Sequence, residues 1–429
     1  MKAMRLLGCV IVLVWGVVFG YWVLVQASPV ELSFWIFINP EGTDPRASVL
    51  RQIVNDFNAS HPDIHVVVQY VHWREIDNRI IQATAVGKGP DIFDFYLPNL
   101  SLHVEAGTLL PLDPEHVGAW LSQHPDYIFS LNDLVQADGH IWGLPWETRV
   151  WLLWYRSDYL QELGLQVPQT LDELITTAAA LTSPTRIGFA YGLSETALAA
   201  EFIEKYQMLI RAAGGTLFDK DFRPLVNTEP GIKAMEWIQK LFAAGGATPA
   251  CVNMNADDVL NGVGAGTIAM ACEGSMRVAT ARSSLGEKGT FLKTAAFPSF
   301  DPGVPAPALM AVRYIGIGAG CKNVDAAWTF ITYWLEEGPQ KLWATVAGVL
   351  PVRQSVLKDP FFTETETGRE MAQWVDLAAK HGFLERYPSD FSYFSELMAR
   401  AAQQIILNNA PIKETLDNVV ATYLASQKK

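Results

Sequence analysis

Residues 31–95 alternate between strand-forming and helix-forming patterns, and this alternation restricts the fold more than any other feature of the chain. Three runs rich in β-branched and aromatic residues are each separated by an apolar stripe with helical spacing. The predicted strands cover Glu31–Ile38, Ile64–Val71 and Ile92–Phe95, and the helices between them cover Ala47–Asn58 and Arg74–Val86. Strands that alternate with helices in this way predict an α/β fold with a doubly wound sheet flanked by helices.

The length and charge of the chain limit its architecture further. At 429 residues it is too long for one simple core, so two domains or a two-lobed domain are expected. Half of the residues are apolar and 11% are aromatic, a composition that can bury a large core and argues against disorder. The formal net charge is −13, and an acidic body of this kind argues against nucleic acid as a partner.

The N-terminus has the pattern of an export signal. Lys2 and Arg5 precede an uninterrupted apolar run, Leu6–Val25, and Ala27 ends a small-residue cleavage pattern. Residues 1–27 are therefore predicted to be a signal peptide. The alternative is an uncleaved anchor, because the apolar run is about as long as a membrane span. Either way, we expect the remaining chain in the periplasm or at the outer face of the cytoplasmic membrane.

Cysteine and histidine usage predicts no metal site and no cofactor. The cysteines beyond the export signal, Cys251, Cys272 and Cys321, form no C-x-x-C pair. One disulfide with a free thiol and three buried thiols are both open alternatives. His61 and His65 flank Pro62 at the start of a predicted strand, which breaks the geometry of a helical metal pair.

A tryptophan-rich segment, Trp142–Trp154, is the most unusual stretch of the chain. It holds four of the 14 tryptophans, and Glu147 and Arg149 lie among them. Flat apolar faces beside charged hydrogen-bonding groups suit a ligand that is polar but has hydrophobic faces, such as a sugar. Alternation along a strand places Arg149 and Trp151 on one face and Trp154 on the other, and we expect both tryptophans to be core residues.

The rest of the chain continues the mixed pattern. Thr170 and Glu173 are spaced as a capping box at the start of a helix. Further helical patterns cover 199–213, 230–244, 325–336, 369–380 and 391–407, with short strands at 267–273, 293–297 and 311–317. No internal repeat, low-complexity tract or long linker occurs, so two domains would have to be interleaved in sequence.

The order of these elements, together with a series of short motifs, carries a resemblance to a known family. The motifs occur at Phe57 with His61–Ile64, Gly89–Ile92, Glu105–Leu112, Gly143–Pro145, Trp154–Asp158, Pro168–Leu174, Gly266–Met270, Glu273–Ser275, Ala326–Phe330 and Gly348–Arg353. In this order the chain resembles the extracellular solute-binding proteins of ABC importers, in the carbohydrate-type group that includes maltose-binding protein. No single motif is diagnostic, but together they cover nearly the whole chain after the export signal.

The resemblance implies two α/β lobes joined by crossing strands, with the ligand held in the cleft between them. The crossings are expected near Arg149, near 295–298 and after Pro351. By this division, residues 28–149 and 297–352 form the N-lobe, and residues 150–294 and 353–429 form the C-lobe. Closure of the lobes around a small-molecule ligand would produce the form that the transmembrane subunits of an ABC permease recognise. A monomer is expected.

The resemblance also implies ligand contacts in the first lobe. The loop after the first strand contributes contacts in the family, and the matching residues here are Asn39 and Glu41. The segment after the third strand contributes an aromatic ring and polar groups, and the matching residues include Tyr96 and Asn99. Leu97–Pro98 replaces the polar pair expected between them, which argues against maltose itself as the ligand.

The tryptophan-rich segment falls at the first crossing. Trp146, Glu147 and Arg149 are the first choices for cleft residues, and Arg149 stands about where the family often has an acid or an amide. The alternative is that Glu147 and Arg149 form an ion pair that only supports the hinge.

Further contacts are expected from later segments. These are Glu195, Glu273, Ser275 and Arg277, with Arg313 and Tyr387 as possible sources of additional contacts. Met276 stands where the family has an aromatic ring that stacks on sugar, so stacking would have to come from elsewhere.

Three arginines at or near cleft positions, Arg149, Arg277 and Arg313, leave the charge of the ligand open. Because arginine binds carboxylate and phosphate in a bidentate manner, an anionic polyol such as a glycerophosphodiester is an alternative to a neutral sugar. A secreted carbohydrate-active enzyme needs only two suitably spaced carboxylates. Against an enzyme, the sequence has no G-x-S-x-G, H-E-x-x-H or P-loop motif. An anchored sensor domain is the third class.

Overall fold

A computed structural model of the chain describes residues 28–134, 139–196 and 200–427, and the predicted export signal lies outside them. Within these residues the strands are β1 (Val30–Ile36), β2 (Ile64–Tyr70), β3 (Ile92–Tyr96), β4 (Leu144–Arg156), β5 (Ile187–Ala190), β6 (Ile268–Gly274), β7 (Leu292–Ala295), β8 (Ala308–Ile317) and β9 (Gly382–Phe383). The early strands and helices predicted from the sequence agree with these bounds to within a few residues.

Helices follow nearly every strand. The helices of the first half are α1 (Pro45–Ser60), α2 (Ile76–Ala85), α3 (Leu100–Glu105), α4 (Pro114–Gln123), α5 (Leu131–Leu134), α6 (Ser157–Glu162), α7 (Leu171–Leu181) and α8 (Ala200–Ala212). Those of the second half are α9 (Glu229–Ala243), α10 (Ala256–Gly264), α11 (Val278–Leu285), α12 (Val324–Trp334), α13 (Glu337–Ala347), α14 (Phe361–Glu364), α15 (Glu366–His381), α16 (Phe391–Asn408) and α17 (Ile412–Ser426).

The strands form one continuous path in the order β2-β1-β3-β8-β4-β6-β5. The three strands predicted first, β1 to β3, pair in parallel, as the strand–helix alternation indicates. The later strand β8 pairs antiparallel with β3 on one side and antiparallel with β4 on the other. The fold is therefore a mixed α/β architecture rather than a purely parallel sheet.

Strand β4 connects the two halves of the molecule. Its first half pairs with β8, and its second half, from Trp151 onward, pairs with β6. Trp151 and Leu153 pack into one hydrophobic cluster, whereas Val150, Leu152 and Trp154 pack into another on the opposite face. The predicted alternation is confirmed, and Trp151 and Trp154 are buried as expected.

Separate hydrophobic cores define two lobes. The first-lobe core surrounds β1, β3 and the tryptophans of α12 and α13, namely Trp334 and Trp343. The second lobe has two clusters, one on each face of its sheet. Strand β8 is shared, because Leu309 and Ala311 pack in the second lobe while Val312 packs in the first.

Two expectations about cysteines and metals can be compared with the described residues. Cys251, Cys272 and Cys321 are free and buried, which decides between the two alternatives in favour of three buried thiols. In the described ranges, no group of three or more His, Cys, Asp or Glu side chains is placed to hold a metal ion. Among the same residues, no helix is long and apolar enough to cross a membrane.

Candidate ligand-binding site

A cavity of about 490 Å³ lies between the two lobes and is lined by residues from both. Residues of the first lobe and the crossing strand form one side, which we call the first-lobe wall: Phe37, Arg46, Trp73, Tyr96, Asn99, Arg149 and Arg313. Residues of the second lobe form the opposite side, the second-lobe wall: Trp151, Glu195, Glu201, Glu204, Glu273, Met276 and Arg277. Its volume is within the usual range for small-molecule pockets.

Three arginines of the first-lobe wall are held by buried carboxylates. Glu147 on β4 has no exposed surface and accepts a hydrogen bond from Arg46 at 2.7 Å and from Arg149 at 2.6 Å. Burial alone would raise the pKa of Glu147, but the guanidinium groups of Arg149 and Arg46 hold it below its usual value. Glu147 is therefore an anion that positions two cations at the cavity.

Arg313 is held in the same way by Asp94. Its Nε donates to the two carboxylate oxygens of Asp94 at 2.9 and 2.8 Å, and its Nη2 also donates to Asp94. Asp94 is fully buried on β3 and accepts a further hydrogen bond, of 2.8 Å, from the indole of Trp146. Strand pairing of β3 and β4 with β8 brings these groups together, because Arg313 is opposite Tyr96 in one register and opposite Glu147 in the other.

The guanidinium groups lie over two aromatic rings of the first-lobe wall. The Cζ atom of Arg313 is 4.0 Å from the centre of the Phe37 ring, and that of Arg46 is 4.9 Å from it. Arg149 and Arg313 lie 5.8 and 5.9 Å from the centre of the Tyr96 ring. These cation–π contacts fix the arginine side chains in the cavity and restrict the area of each ring that remains for a ligand.

The second-lobe wall has the opposite charge. Lys205 is buried on α8 and contacts Glu201 directly, with the carboxylate of Glu273 3.5 Å away. Burial lowers the pKa of the Lys205 ammonium, and Glu273 opposes that change. Among the described residues, Glu204 on the same helix has no cation as its direct partner, and burial raises its pKa to about 8.

Direct contacts join the two lobes around the cavity. The hydroxyl of Tyr96 donates to Glu204 at 3.0 Å, and Arg74 forms an ion pair of 2.5 Å with Asp257. Beside the cavity, Ser101 Oγ donates to the carbonyl oxygen of Tyr387 at 2.6 Å. The lobes are thus in contact rather than splayed apart, so the two walls face each other at hydrogen-bonding distance.

Seven of the residues chosen from the sequence line this cavity. They are Tyr96, Asn99, Arg149, Glu195, Glu273, Arg277 and Arg313. The amide of Asn99 donates to Asp77 at 2.8 Å, and Glu195 accepts from Arg400 at 2.6 Å.

The structure places the other six elsewhere. Asn39 and Glu41 lie on an exposed turn in which the Asn39 side chain accepts from the Glu41 backbone N–H at 3.0 Å. Glu147 and Ser275 lie behind the wall, and Tyr387 is buried against Gln207.

Trp146 departs most from the expectation, since it was among the first choices for the cleft. It has no exposed surface and packs in the first-lobe core, with its ring centre 5.1 Å from that of Trp343 and 5.5 Å from that of Trp334. Its role at the cavity is indirect, through the hydrogen bond to Asp94.

Sequence reasoning missed several lining residues. Phe37, Arg46, Trp73 and Glu204 were not selected. Phe37 directly follows β1, and Trp73 lies three residues after the end of β2. An aromatic residue shortly beyond a parallel strand is the signal that could have found them, because ligand sites lie at the carboxyl ends of such strands. Arg46 and Glu204 lie on helices, where the sequence pattern carries no comparable signal.

The family of the chain follows from comparison with known proteins. Residues 41–341, more than half of the chain, match the family of bacterial extracellular solute-binding proteins, and the chain belongs to this family. A maltotriose-binding protein of Pyrococcus abyssi is 24% identical over 317 residues, which are 73% of this chain and 65% of that relative's length. The chain thus matches slightly less than two thirds of that relative.

Solved structures show the same fold. An ABC transporter solute-binding protein of Thermotoga lettingae bound with α-D-tagatose superimposes with a TM-score of 0.77 at 22% identity, over 92% of this chain and 98% of that one. The maltotriose-binding protein of Thermus thermophilus bound with maltotriose gives a TM-score of 0.72 at 18% identity, over 91% and 98%. The two-lobed architecture expected from the sequence is confirmed.

Proposed function

We propose that the chain is the substrate-binding receptor of an ABC importer and captures a sugar or oligosaccharide in the interlobe cavity. The observation that carries this proposal is the cavity itself, because its walls combine aromatic rings with charged hydrogen-bonding groups from both lobes. Family membership supports a receptor, and the relatives named for maltotriose and tagatose support a saccharide.

The arrangement of the walls suggests how a sugar would be held. Apolar faces of the sugar would pack on ring surface such as that of Trp73, and its hydroxyls would bond to the arginines of one wall and the carboxylates of the other. Because the two walls belong to different lobes, full contact requires closure. Binding would then shift the population toward the closed form that a permease recognises.

For the lobes we propose boundaries that follow the hydrophobic cores. The first lobe would comprise residues 28–149 and 312–352, and the second would comprise 150–311 and 353–427. Relative to the sequence expectation, this moves residues 297–311 into the second lobe, because Phe297, Ala306 and Leu309 pack in its core. The crossings would lie within β4, within β8 and after Val352.

The proposed setting is outside the cytoplasmic membrane. The family is extracellular, and residues 1–27 carry the pattern of an export signal. We propose that the receptor works as a monomer, in the periplasm or tethered at the outer face of the cytoplasmic membrane, and delivers its ligand to the transmembrane subunits of a permease. It would release the ligand chemically unchanged, unlike a carbohydrate-active enzyme.

A thermal-shift panel of neutral mono- and oligosaccharides, sugar acids and phosphorylated polyols tests the proposal. At least one saccharide should raise the melting temperature, since a ligand bound only by the folded state stabilises it. Recovery of the same compound unchanged, measured by mass spectrometry, would support a receptor and contradict an enzyme. A panel without any shift would overturn the proposal.

A pair of variants locates the binding site. Trp73→Ala should weaken saccharide binding by about tenfold or more, because it removes ring surface from the cavity. Tyr393→Ala removes an aromatic ring that is 38% exposed and does not line the cavity, so it should leave affinity unchanged. Equal losses in both variants would contradict the assignment of the cavity.

A further inference from the structure

The buried charges of the first-lobe wall do not balance. Three guanidinium groups, those of Arg46, Arg149 and Arg313, share the two carboxylates of Glu147 and Asp94. Both carboxylates are fully buried, Arg149 and Arg313 are only 8% and 6% exposed, and the side chain of Arg46 is 20% exposed. We call the three arginines the arginine cluster. At any pH at which both acids are ionised, the cluster holds one positive charge in excess.

The cluster also keeps hydrogen-bond donors that face the cavity. Arg149 uses Nε for Glu147, and Arg313 uses Nε and Nη2 for Asp94. Within the described part of the chain, neither terminal nitrogen of Arg149 nor Nη1 of Arg313 donates to an acceptor, and none of these atoms is sealed from the cavity. A guanidinium that is oriented by a buried acid and has free terminal N–H groups is prepared for a bidentate anion.

Among the described residues, no carboxylate of the second-lobe wall forms an ion pair with the arginine cluster. Glu201 and Glu273 contact Lys205, and Glu195 pairs with Arg400. Glu204 is the acid that interacts with Arg149 across the cavity, and its raised pKa of about 8 leaves it mostly protonated at neutral pH. A protonated Glu204 can bond to a ligand without repelling a negative group on it.

We infer that the arginine cluster is an anion subsite and that the natural ligand is a saccharide carrying a carboxylate or phosphate group. This inference rests on the proposed function and adds the charge of the ligand to it. A neutral hydroxyl could accept a hydrogen bond from Arg149, but it would leave the excess positive charge of the arginine cluster without a directly contacting anion. An anionic group would satisfy the free N–H donors and neutralise the charge together.

Two matched ligand pairs test the inference by calorimetry at low ionic strength. One pair is a uronic acid disaccharide and its neutral hexose counterpart, and the other is a hexose phosphate and the same hexose. In at least one pair, the anionic member should bind about tenfold more tightly or better, which corresponds to one charge-assisted hydrogen bond. The pair that shows the preference identifies the group as carboxylate or phosphate.

Arg149→Gln should remove most of that preference while leaving the neutral member within about threefold of its affinity. Arg74→Gln is the matched control: it removes the same charge from the cavity lining, but Arg74 pairs with Asp257 outside the cluster, so the preference should persist. Glu147 retains Arg46 in the Arg149 variant, and the melting temperature of the ligand-free protein checks its folding.

The outcomes separate the inference from the function on which it rests. Equal affinity for both members of each pair, or a preference for the neutral member, would overturn the anion subsite while leaving a sugar receptor. No binding of any saccharide in the wider panel would overturn the proposed function instead. If Arg149→Gln does not fold, the comparison of the pairs on the unaltered protein decides alone.

Discussion

The two walls of the cavity solve the problem of buried charge in opposite ways. On the first-lobe wall three arginines surround two carboxylates, Glu147 and Asp94. On the second-lobe wall two carboxylates, those of Glu201 and Glu273, contact one ammonium, that of Lys205. Each of these two buried clusters therefore holds unequal numbers of cations and anions, in opposite senses.

The two walls differ in whether their charged groups can change protonation state. A guanidinium remains protonated at every accessible pH, so the arginine cluster can lose its excess charge only by binding an anion. A carboxylate can instead lose its charge by taking up a proton. Burial disfavours the charged form of Glu204 and raises its pKa to about 8. The arginines of the first-lobe wall therefore keep their charge, whereas Glu204 on the second-lobe wall loses its charge as the pH falls below about 8.

The largest effect is expected from removing the acid that holds two arginines. Glu147→Gln leaves Arg46 and Arg149 without their shared anion in a buried position. We expect a loss of about 4 kcal/mol in the free energy of unfolding, measured by urea denaturation. Glu195→Gln is the control, since its pair with Arg400 is partly exposed and should contribute less than about 1 kcal/mol. Similar small losses in both variants would contradict the conclusion that Glu147 stabilises the fold by pairing with Arg46 and Arg149.

A smaller loss, with a pH dependence, is expected when the second-lobe wall loses its cation. Lys205→Met leaves Glu201 and Glu273 buried without their partner. At pH 8 the variant should lose about 3 kcal/mol in the free energy of unfolding. At pH 5 the loss should be smaller, because the two carboxylates can then protonate more readily. A loss that does not change between these pH values would show that the charges of this wall do not respond to pH.

The third effect, comparable in size to that of Lys205→Met, concerns Glu204, whose pKa is about 8 in the folded protein against an ordinary value of 4.5. Because the folded state holds its proton more tightly than the unfolded state, the contribution of Glu204 to stability is complete below about pH 4.5 and declines as the pH rises toward 8. Glu204→Gln cannot ionise, so its melting temperature relative to the unaltered protein should rise by about 4 °C between pH 5 and pH 8, because about 3 kcal/mol of the Glu204 contribution is lost over that range.

The groups that face Glu204 allow a control for this pH dependence. They are Tyr96, Glu273, Arg277 and Arg149. Tyr96→Phe removes the hydrogen bond to Glu204, which itself lowers the Glu204 pKa, and should therefore increase the decline in stability with pH. A constant difference between Glu204→Gln and the unaltered protein across this range would mean that Glu204 titrates normally.

Much of the fold is readable from the sequence, because it depends on local patterns. The β-branched runs of β1 and β2 and the apolar stripe of α1 specify a strand–helix–strand unit without reference to the rest of the chain. The alternation in β4 likewise predicts which tryptophans enter which core. The family resemblance then supplies the two-lobed arrangement, which no local pattern contains.

The candidate site is less readable because its chemistry depends on partners far apart in sequence. Glu147 lies in a tryptophan-rich strand, and nothing near it indicates that Arg46, 101 residues earlier, is its partner. Trp146 has the same charged neighbours as a cleft residue, but its indole points toward Asp94 and the core. Helix periodicity likewise does not indicate that Glu201 and Glu204 of α8 line the cavity.

The pairing of β3 with β8 also limits how early in synthesis the first lobe can finish folding. Asp94 and Arg313, which bond across these strands, are 219 positions apart, so the first lobe cannot be completed until most of the polypeptide has been made. At ribosomal speeds of roughly 5–20 residues per second, this interval is on the order of ten seconds or more. During that time the leading segments remain without their final partners. An extracellular protein benefits from this delay, because a chain that has not yet collapsed can still be threaded through a translocation channel.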